Sequence, residues 1–288
     1  MQIIDTVANL RKTLINQENI GFVPTMGNLH AGHIALVKLA KQQADYVVVS
    51  IFVNPLQFGP TEDLAHYPRT LQADCEKLKL AGADIVFTPT VAEIYPQEQS
   101  MTIEPPPIAN VLCGASRLSH FAGVATVVMK LFNMVFYNSV GPNIAVFGKK
   151  DFQQLFIIKQ MVSQFNLPIT IVAAETMREA SGLALSSRNG YLNAAQKIQA
   201  SQLNSALQGI IHQVKNGNQH FTQLEQRATA LLTKQGWDVD YMSIRSSTSL
   251  QPACALDKHL IVLGAAKITN KTAGKTRLID NIELCISA

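Results

Sequence analysis

Charge is scarce in this chain: only 15% of its 288 residues are Asp, Glu, Lys or Arg. So little charge, beside 47% hydrophobic residues, excludes an extended disordered protein. The net charge of +4 weakly favours anionic ligands, yet it lacks the clustered basicity with which a protein grips nucleic acid. Cysteine is sparse too. Cys75, Cys113, Cys254 and Cys285 are scattered, with no Cys-x-x-Cys pair and no metal-ligand spacing. That pattern fits free thiols in a reducing, cytoplasmic compartment. A secretory leader is not indicated, because MQIIDTVANLRKTL carries Asp5 before Arg11, the wrong charge order. Long apolar runs are missing. The longest, Tyr46–Val53, contains Ser50 and is far short of the ~20 residues that cross a bilayer. No repeat or low-complexity stretch is present, and EPPPI at 104–108 reads as a stiff connection.

What is present is alternation. Ile20–Val23 reads as a strand and His33–Ala44 as a helix, and YVVVSIFV is apolar enough for a strand buried on both faces. Leu71–Ala81 is helical and stops at Gly82, and DIVFTP is a strand closed by proline. Val124–Phe136 and Asp151–Phe165 are helical, each followed by a strand, NIAVFG and PITIVAA. Strand–helix alternation of this kind predicts an α/β fold with a doubly wound parallel sheet. After about residue 176 the character changes. ETMREASGLALSSRNGYL is loop-like, Ala194–Val214 and Phe221–Gly236 are helical, and short strands are expected at Tyr241–Ile244 and Leu260–Ala265. We therefore expect two domains, 1–176 and a smaller α+β domain, 177–288.

The stretch PTMGNLHAGH, Pro24 to His33, stands at the carboxyl end of the Ile20 strand and leads into a helix. Ligands of doubly wound sheets bind beyond the carboxyl ends of the strands. Glycines there let backbone amides approach a phosphate, and a helix N-terminus adds partial positive charge. Three readings stand side by side: a phosphate-handling site, a structural turn, and a zinc pair that still needs further ligands.

The pattern HxGH resembles the HIGH-type signature of the nucleotidylyltransferase and class I aminoacyl-tRNA synthetase superfamily, whose members form adenylates and release pyrophosphate. LSSR at 185–188 resembles its second, basic motif. Between and beyond them lie SIFVNPLQF (50–58), YPRTLQADC (67–75), HFAGVATVV (120–128), FGKKDFQQL (147–155) and TRLIDN (276–281). In that order, across nearly the whole chain, these blocks are similar to the pantothenate synthetase family.

The resemblance implies a Rossmann-like fold and ATP-dependent joining of pantoate to β-alanine through pantoyl adenylate, with AMP and pyrophosphate released. It implies ATP binding by Met26, Gly27, Asn28, Leu29, His30, Ala31, Gly32 and His33, by Gly148, Lys149, Lys150 and Asp151, and by Met177, Leu185, Ser186, Ser187 and Arg188. His33 would serve as proton donor, His30 would stand beside it as a second catalytic residue, and Lys150, Ser186, Ser187 and Arg188 would offset phosphate charge. Gln57 and Gln154 would hold pantoate, with Asn54 and Arg117 as further contacts, and Gln57 would also meet β-alanine. His120, in SHFAG, would help to shape the pantoate-binding loop. Mg2+ is implied as the partner of ATP, with its protein ligands open, and a homodimer through the N-terminal domain is expected. No nucleic-acid or membrane partner is expected.

Without the resemblance, Gln154 reads as well as a surface residue, Lys149–Lys150 as a solvated pair, and SSRN as a polar turn. Three positions depart from the family pattern. Cys113 and Ser181 stand where acids are usual, and Lys149 replaces a carboxylate. If all three lie near the mouth of the site, its entrance is more positive. Two rivals remain. One is another adenylate-forming nucleotidylyltransferase, a tRNA-directed one being suggested by Arg245, Lys258, Lys267, Lys271, Lys275 and Arg277. The other is a non-catalytic nucleotide-binding module.

Overall fold

The computed structural model of the chain describes every residue except 61, 63, 140, 271–273, 287 and 288. The chain divides into two compact units, residues 1–149 with 153–175, and residues 150–152 with 176–288.

The first part of the chain runs β1 (Gln2–Ile4), α1 (Val7–Leu14), β2 (Ile20–Thr25), α2 (Ala31–Gln43), β3 (Tyr46–Ile51), α3 (Leu71–Ala81) and β4 (Ile85–Phe87). It continues through α4 (Val91–Ile94), α5 (Cys113–Ser116), α6 (His120–Val135), β5 (Asn143–Gly148), α7 (Phe152–Gln164) and β6 (Ile169–Ala174). The six strands form one sheet, β1-β4-β3-β2-β5-β6, and every neighbouring pair is parallel. This is the doubly wound α/β sheet that the alternation predicts. Val47, Val48 and Val49 are all buried because the sheet is covered twice. Phe22, Val48 and Phe87 pack with α1, α6 and α7 on one face, and Val23, Val47 and Val49 with α2 and α3 on the other.

Among the elements not anticipated are the first two of the chain. Gln2–Ile4 forms an edge strand, and Val7–Leu14 forms a helix whose N-cap, Thr6, accepts from the Asn9 amide. The strand is too short to show periodicity, so Ile20 opens the second strand and not the first.

The order of strands positions the site. From β2 the chain moves to β3 and β4 on one side, and β5 and β6 lie on the other. β2 and β5 are therefore the neighbours between which the winding reverses, and their carboxyl ends border the crevice where such sheets bind ligands. PTMGNLHAGH begins in the last two residues of β2, and Gly148–Lys149 begins at the last residue of β5.

The second unit contains α8 (Ala194–Lys215), α9 (Phe221–Lys234), β7 (Asp238–Ser246), β8 (His259–Asn270) and β9 (Gly274–Cys285). The strands make an antiparallel sheet, β7-β8-β9, and Leu207, Leu232, Trp237, Ile244 and Val262 are among its core residues. The strands are longer than expected, and β9 was not foreseen, because its charged residues mask the alternation. Those charges are paired across the sheet. Lys267 and Arg277 meet Asp240 at 2.8 and 2.6 Å, and Lys275 meets Asp238 at 2.8 Å. Arg245 donates to Ser243 and to the Leu250 carbonyl. Of the six basic residues named in the sequence, Lys267, Lys275 and Arg277 thus have acidic partners. Lys271 lies outside the described residues.

One contact ties α6 to the segment after β3. A Cβ on Gly123 would stand 2.2 Å from the Leu56 carbonyl oxygen and 2.9 Å from the Gln57 nitrogen. Gly123→Ala is expected to force that segment outward and to lower the urea-unfolding free energy by ~1–3 kcal/mol. An unchanged unfolding midpoint would show that Leu56 yields without cost.

Candidate active site

The loop after β2 is shaped by a buried carboxylate. Gly27 (φ +82°) and Asn28 (φ +50°) both lie in the left-handed region and reverse the chain. A Cβ at Gly27 would also stand 3.0 Å from Ile51 Cγ2 and 3.3 Å from Asp74 Oδ2, so space and backbone both demand glycine. The Asp74 side chain, from α3, has no exposed surface. It accepts from the amides of Asn28 and Leu29, each at 2.8 Å, and from the Thr70 hydroxyl at 3.0 Å. Lys77 Nζ stands 3.9 Å from it and donates to the Leu29 carbonyl at 2.7 Å. Burial and then the charge of Asp74 push the Cys75 thiol up. Asp74 sits inside the block YPRTLQADC but was not singled out in the sequence, since a single helical Asp is usually solvated.

The loop delivers two histidines at the start of α2. His30 is its N-cap, and its Nδ1 accepts from the Gly32 amide at 3.1 Å. Nδ1 of His33 accepts from the His30 amide at 3.3 Å, completing a reciprocal cap. The rings lie 4.1 Å apart, centre to centre. A backbone amide only donates, so each Nδ1 is an acceptor and each neutral ring carries its proton on Nε2. Both imidazoles are thereby set as Nε2–H donors at a helix N-terminus.

After β3 the chain makes a short 3-10 turn, Pro55–Gln57, capped by Asn54. Asn54 is buried. Its Oδ1 accepts from the Leu56 amide and from the Tyr95 hydroxyl, and its Nδ2 donates to Gln57 Oε1 and to the Gly123 carbonyl. Gln57 Nε2 points to Met26 Sδ at 3.0 Å. Burial pushes the Tyr95 hydroxyl up to about 12.

Arg117 grips Glu62 with Nε and Nη2, both at 2.7 Å, and its Nη1 meets His120 Nε2 at 2.9 Å. His120 Nδ1 donates to the Gln57 carbonyl at 2.8 Å, so this histidine does shape the loop. Gln153 and Gln154 exchange prominence with respect to the sequence reading. Gln153 is the buried one, accepting from the Cys113 amide and donating to the carbonyls of Ile108 and Val111. Gln154 is half-buried and makes no side-chain hydrogen bond among the described residues.

In the second unit Arg178 and Asp280 organise the basic motif. Asp280, buried, accepts from both Arg178 Nη atoms at 2.6 and 2.8 Å, from Asn204 at 3.0 Å and from the Asn281 amide at 2.7 Å. Met177 and Leu185 are joined through their backbones, and Ser186 caps the turn 187–191 by accepting from the Arg188 amide. Asn281 Nδ2 donates to the Lys150 carbonyl at 2.9 Å, so TRLIDN also holds the lysine of GKKD. Asp151 is exposed at the head of α7.

The pantoate–β-alanine ligase family model matches residues 2–283 of the chain. The chain belongs to the pantoate–β-alanine ligase family.

Relatives support this at full length. The chain is 60% identical to the pantothenate synthetase of Methylobacillus flagellatus, over 99% of both chains. It is 52% identical to that of Thiobacillus denitrificans, over 100% of this chain and 99% of the other. Among solved structures, pantothenate synthetase from Thermus thermophilus superimposes with a TM-score of 0.90 at 38% identity, covering 98% of this chain and 99% of that one. The Francisella tularensis pantoate–β-alanine ligase, complexed with β-γ ATP and β-alanine, gives 0.78 at 37%, covering 98% and 97%. The reaction of this ligase is the ATP-dependent joining of pantoate to β-alanine.

The surroundings of the three departures from the family pattern differ. Cys113 is buried, so it adds no field at a solvent-facing entrance. The charge of Lys149 is offset by Glu175, 2.5 Å away. Ser181 is exposed and its hydroxyl accepts from the Leu183 amide. Among the described residues, no three His, Cys, Asp or Glu side chains converge as a metal-ligating group, and the zinc reading of His30 and His33 finds no third ligand.

Asp74→Asn is expected to lower the unfolding free energy by ~1.5–3 kcal/mol, the scale of hydrogen bonds to a charged group. The exchange of the Asn28 and Leu29 amides with D2O should accelerate more than that of the central strands. Equal acceleration throughout the sheet would mean that Asp74 stabilises the unit as a whole and has no specific hold on the loop.

Proposed function

We propose that this ligase works in two steps on the residues assembled above. A pantoate carboxylate oxygen attacks the α-phosphorus of ATP, forming pantoyl adenylate as pyrophosphate departs. The β-alanine amine then attacks the acyl carbon, the amide bond forms, and AMP leaves with the bonding electrons. The observation that carries this reading is the fixed Nε2–H polarity of His30 and His33 at the N-terminus of α2. Donors held there meet developing negative charge on phosphate without reorganising.

In this reading the backbone from Met26 to His33 cradles ATP, with Gly148, Lys149 and Asp151 as further contacts. Lys150, Ser186, Ser187 and Arg188 offset the charge that builds on the departing pyrophosphate, and Met177 and Leu185 lie along the nucleotide. Gln57 and Gln154 hold pantoate, and Gln57 also meets β-alanine. Arg117, occupied with Glu62 and His120, acts on the pantoate loop more than on pantoate itself. Mg2+ enters as the ATP complex and neutralises phosphate charge when bound. Phosphate oxygens and water would be its main ligands in this reading. Residues 1–176 then form the ATP- and pantoate-binding domain and 177–288 the lid. The enzyme works as a homodimer in the cytoplasm.

His33→Ala is expected to slow pantoate-dependent ATP–pyrophosphate exchange by ~10²-fold or more while the protein stays folded. Near-normal exchange would remove His33 from the chemistry. Exchange driven by an amino acid in place of pantoate would favour the synthetase-like rival, and tight ATP binding with no exchange would favour the non-catalytic module.

A second expectation separates the substrates. Gln154→Ala should weaken pantoate binding by ~5- to 10-fold, the scale of one lost hydrogen bond, and leave ATP binding within about 2-fold. Equal losses for both ligands in calorimetry would refute that assignment.

A further inference from the structure

The turn that carries Gln57 contains a hydrogen-bond chain whose direction is settled at both ends. At one end the Leu56 amide donates to Asn54 Oδ1 at 3.3 Å, and a backbone amide has no other option. At the other end the Gly123 carbonyl receives Asn54 Nδ2 at 3.2 Å, and a carbonyl only accepts. The Asn54 carboxamide therefore has one orientation. Tyr95, at 2.8 Å, must donate to Oδ1, and Asn54 Nδ2 must donate to Gln57 Oε1 at 3.2 Å.

Asn54 now has both amide protons and both acceptor positions in use, and it is 1% exposed, so nothing on it is left for a substrate. Gln57 is different. Its Oε1 is held by Asn54, and among the described residues its Nε2 meets only the thioether of Met26, a weak acceptor that donates nothing.

We propose that Tyr95 and Asn54 are positioning residues that fix Gln57 as a hydrogen-bond donor to an oxygen of the bound pantoate. The proposal rests on the reading that Gln57 holds pantoate. It gives the Gln57 carboxamide a single polarity, and it recasts Asn54 as a support. The ring of Tyr95 is itself held, by Phe52 at 6.2 Å between centroids and by Lys130 Nζ 5.1 Å above it. A tyrosine hydroxyl is protonated through the neutral range and burial pushes this one further up, so the donor at the head of the chain does not lapse.

The polarity suits the substrate class. Pantoate offers a carboxylate and two hydroxyl oxygens, all with lone pairs, and its carboxylate cannot donate. A glutamine fixed the other way round would set a carbonyl oxygen against that carboxylate.

The test is a double-mutant cycle read by calorimetry with pantoate and with ATP separately, on Tyr95→Phe, Gln57→Ala and the double variant. Tyr95→Phe keeps the ring and removes only the donor. It is expected to weaken pantoate binding ~3- to 10-fold and to leave ATP binding within about 2-fold. In the Gln57→Ala background the same change should have no further effect on pantoate, because the group it acts through is gone. Steady-state rates should show the loss in the KM for pantoate, with kcat little changed.

If Gln57→Ala leaves pantoate binding intact, the reading of Gln57 fails and the proposal falls with it. If Gln57→Ala weakens pantoate while Tyr95→Phe has no effect, or the same effect in both backgrounds, the reading stands and the relay is overturned. Asn54→Asp provides a second arm, since a carboxylate still accepts from Leu56 and Tyr95 but no longer donates to Gln57. It should weaken pantoate binding at least as much as Tyr95→Phe, and undiminished affinity in the folded variant would overturn the proposed polarity.

Discussion

A carboxylate without exposed surface is an expensive thing to keep in a protein, and the candidate site hangs on one. Removing Asp74 from water is tolerable only because two amides, a hydroxyl and a nearby ammonium replace its hydration. The two amides belong to consecutive loop residues, Asn28 and Leu29. Satisfying the charge and bending the loop are therefore the same event. The bend sets His30 as the cap of α2, the cap sets Nδ1 of both histidines against backbone amides, and that sets where their protons sit. Each step follows from the previous one by hydrogen-bonding capacity alone.

The same constraint recurs after β3. In both places a side chain with two possible polarities is reduced to one by a backbone group that has only one. At His30 and His33 the arbiter is an amide, and at Asn54 it is an amide on one side and a carbonyl on the other. The outcome in each case is a donor. Donors are the right currency for a reaction among a carboxylate, a triphosphate and a zwitterion.

Much of this was legible in the residues. The parallel sheet follows from buried β-branched runs such as YVVVS, and the end of α3 from Gly82, which adopts the left-handed cap (φ +87°) that glycine favours. The HxGH block could be placed at the end of a strand and the start of a helix. What stayed hidden were partnerships between distant segments. Nothing local distinguishes Asp74 from a solvated helical acid, or Gln153 from Gln154, because burial is decided by what packs above them. Tyr95 lies 41 positions from the asparagine it binds, and sequence spacing carries no trace of that bond. The surroundings of Cys113 and Lys149 were hidden for the same reason: one thiol is buried and one ammonium has Glu175 as a neighbour.

Lys149 and Lys150 are adjacent in the chain yet belong to different compact units, and Lys150 is held to the second one by Asn281. The protein therefore cannot be divided by a single cut. A gene split after Glu175 would leave residues 150–152 on the wrong fragment, and the fragment 176–288 would lack the strand of chain that Asn281 holds. Recombination between related ligases meets the same constraint. A chimera that exchanges the C-terminal unit inherits a matched partner for Asn281 only if the three residues 150–152 travel with it, although more than twenty residues of the other parent lie between. The two units are modules in space but not in heredity.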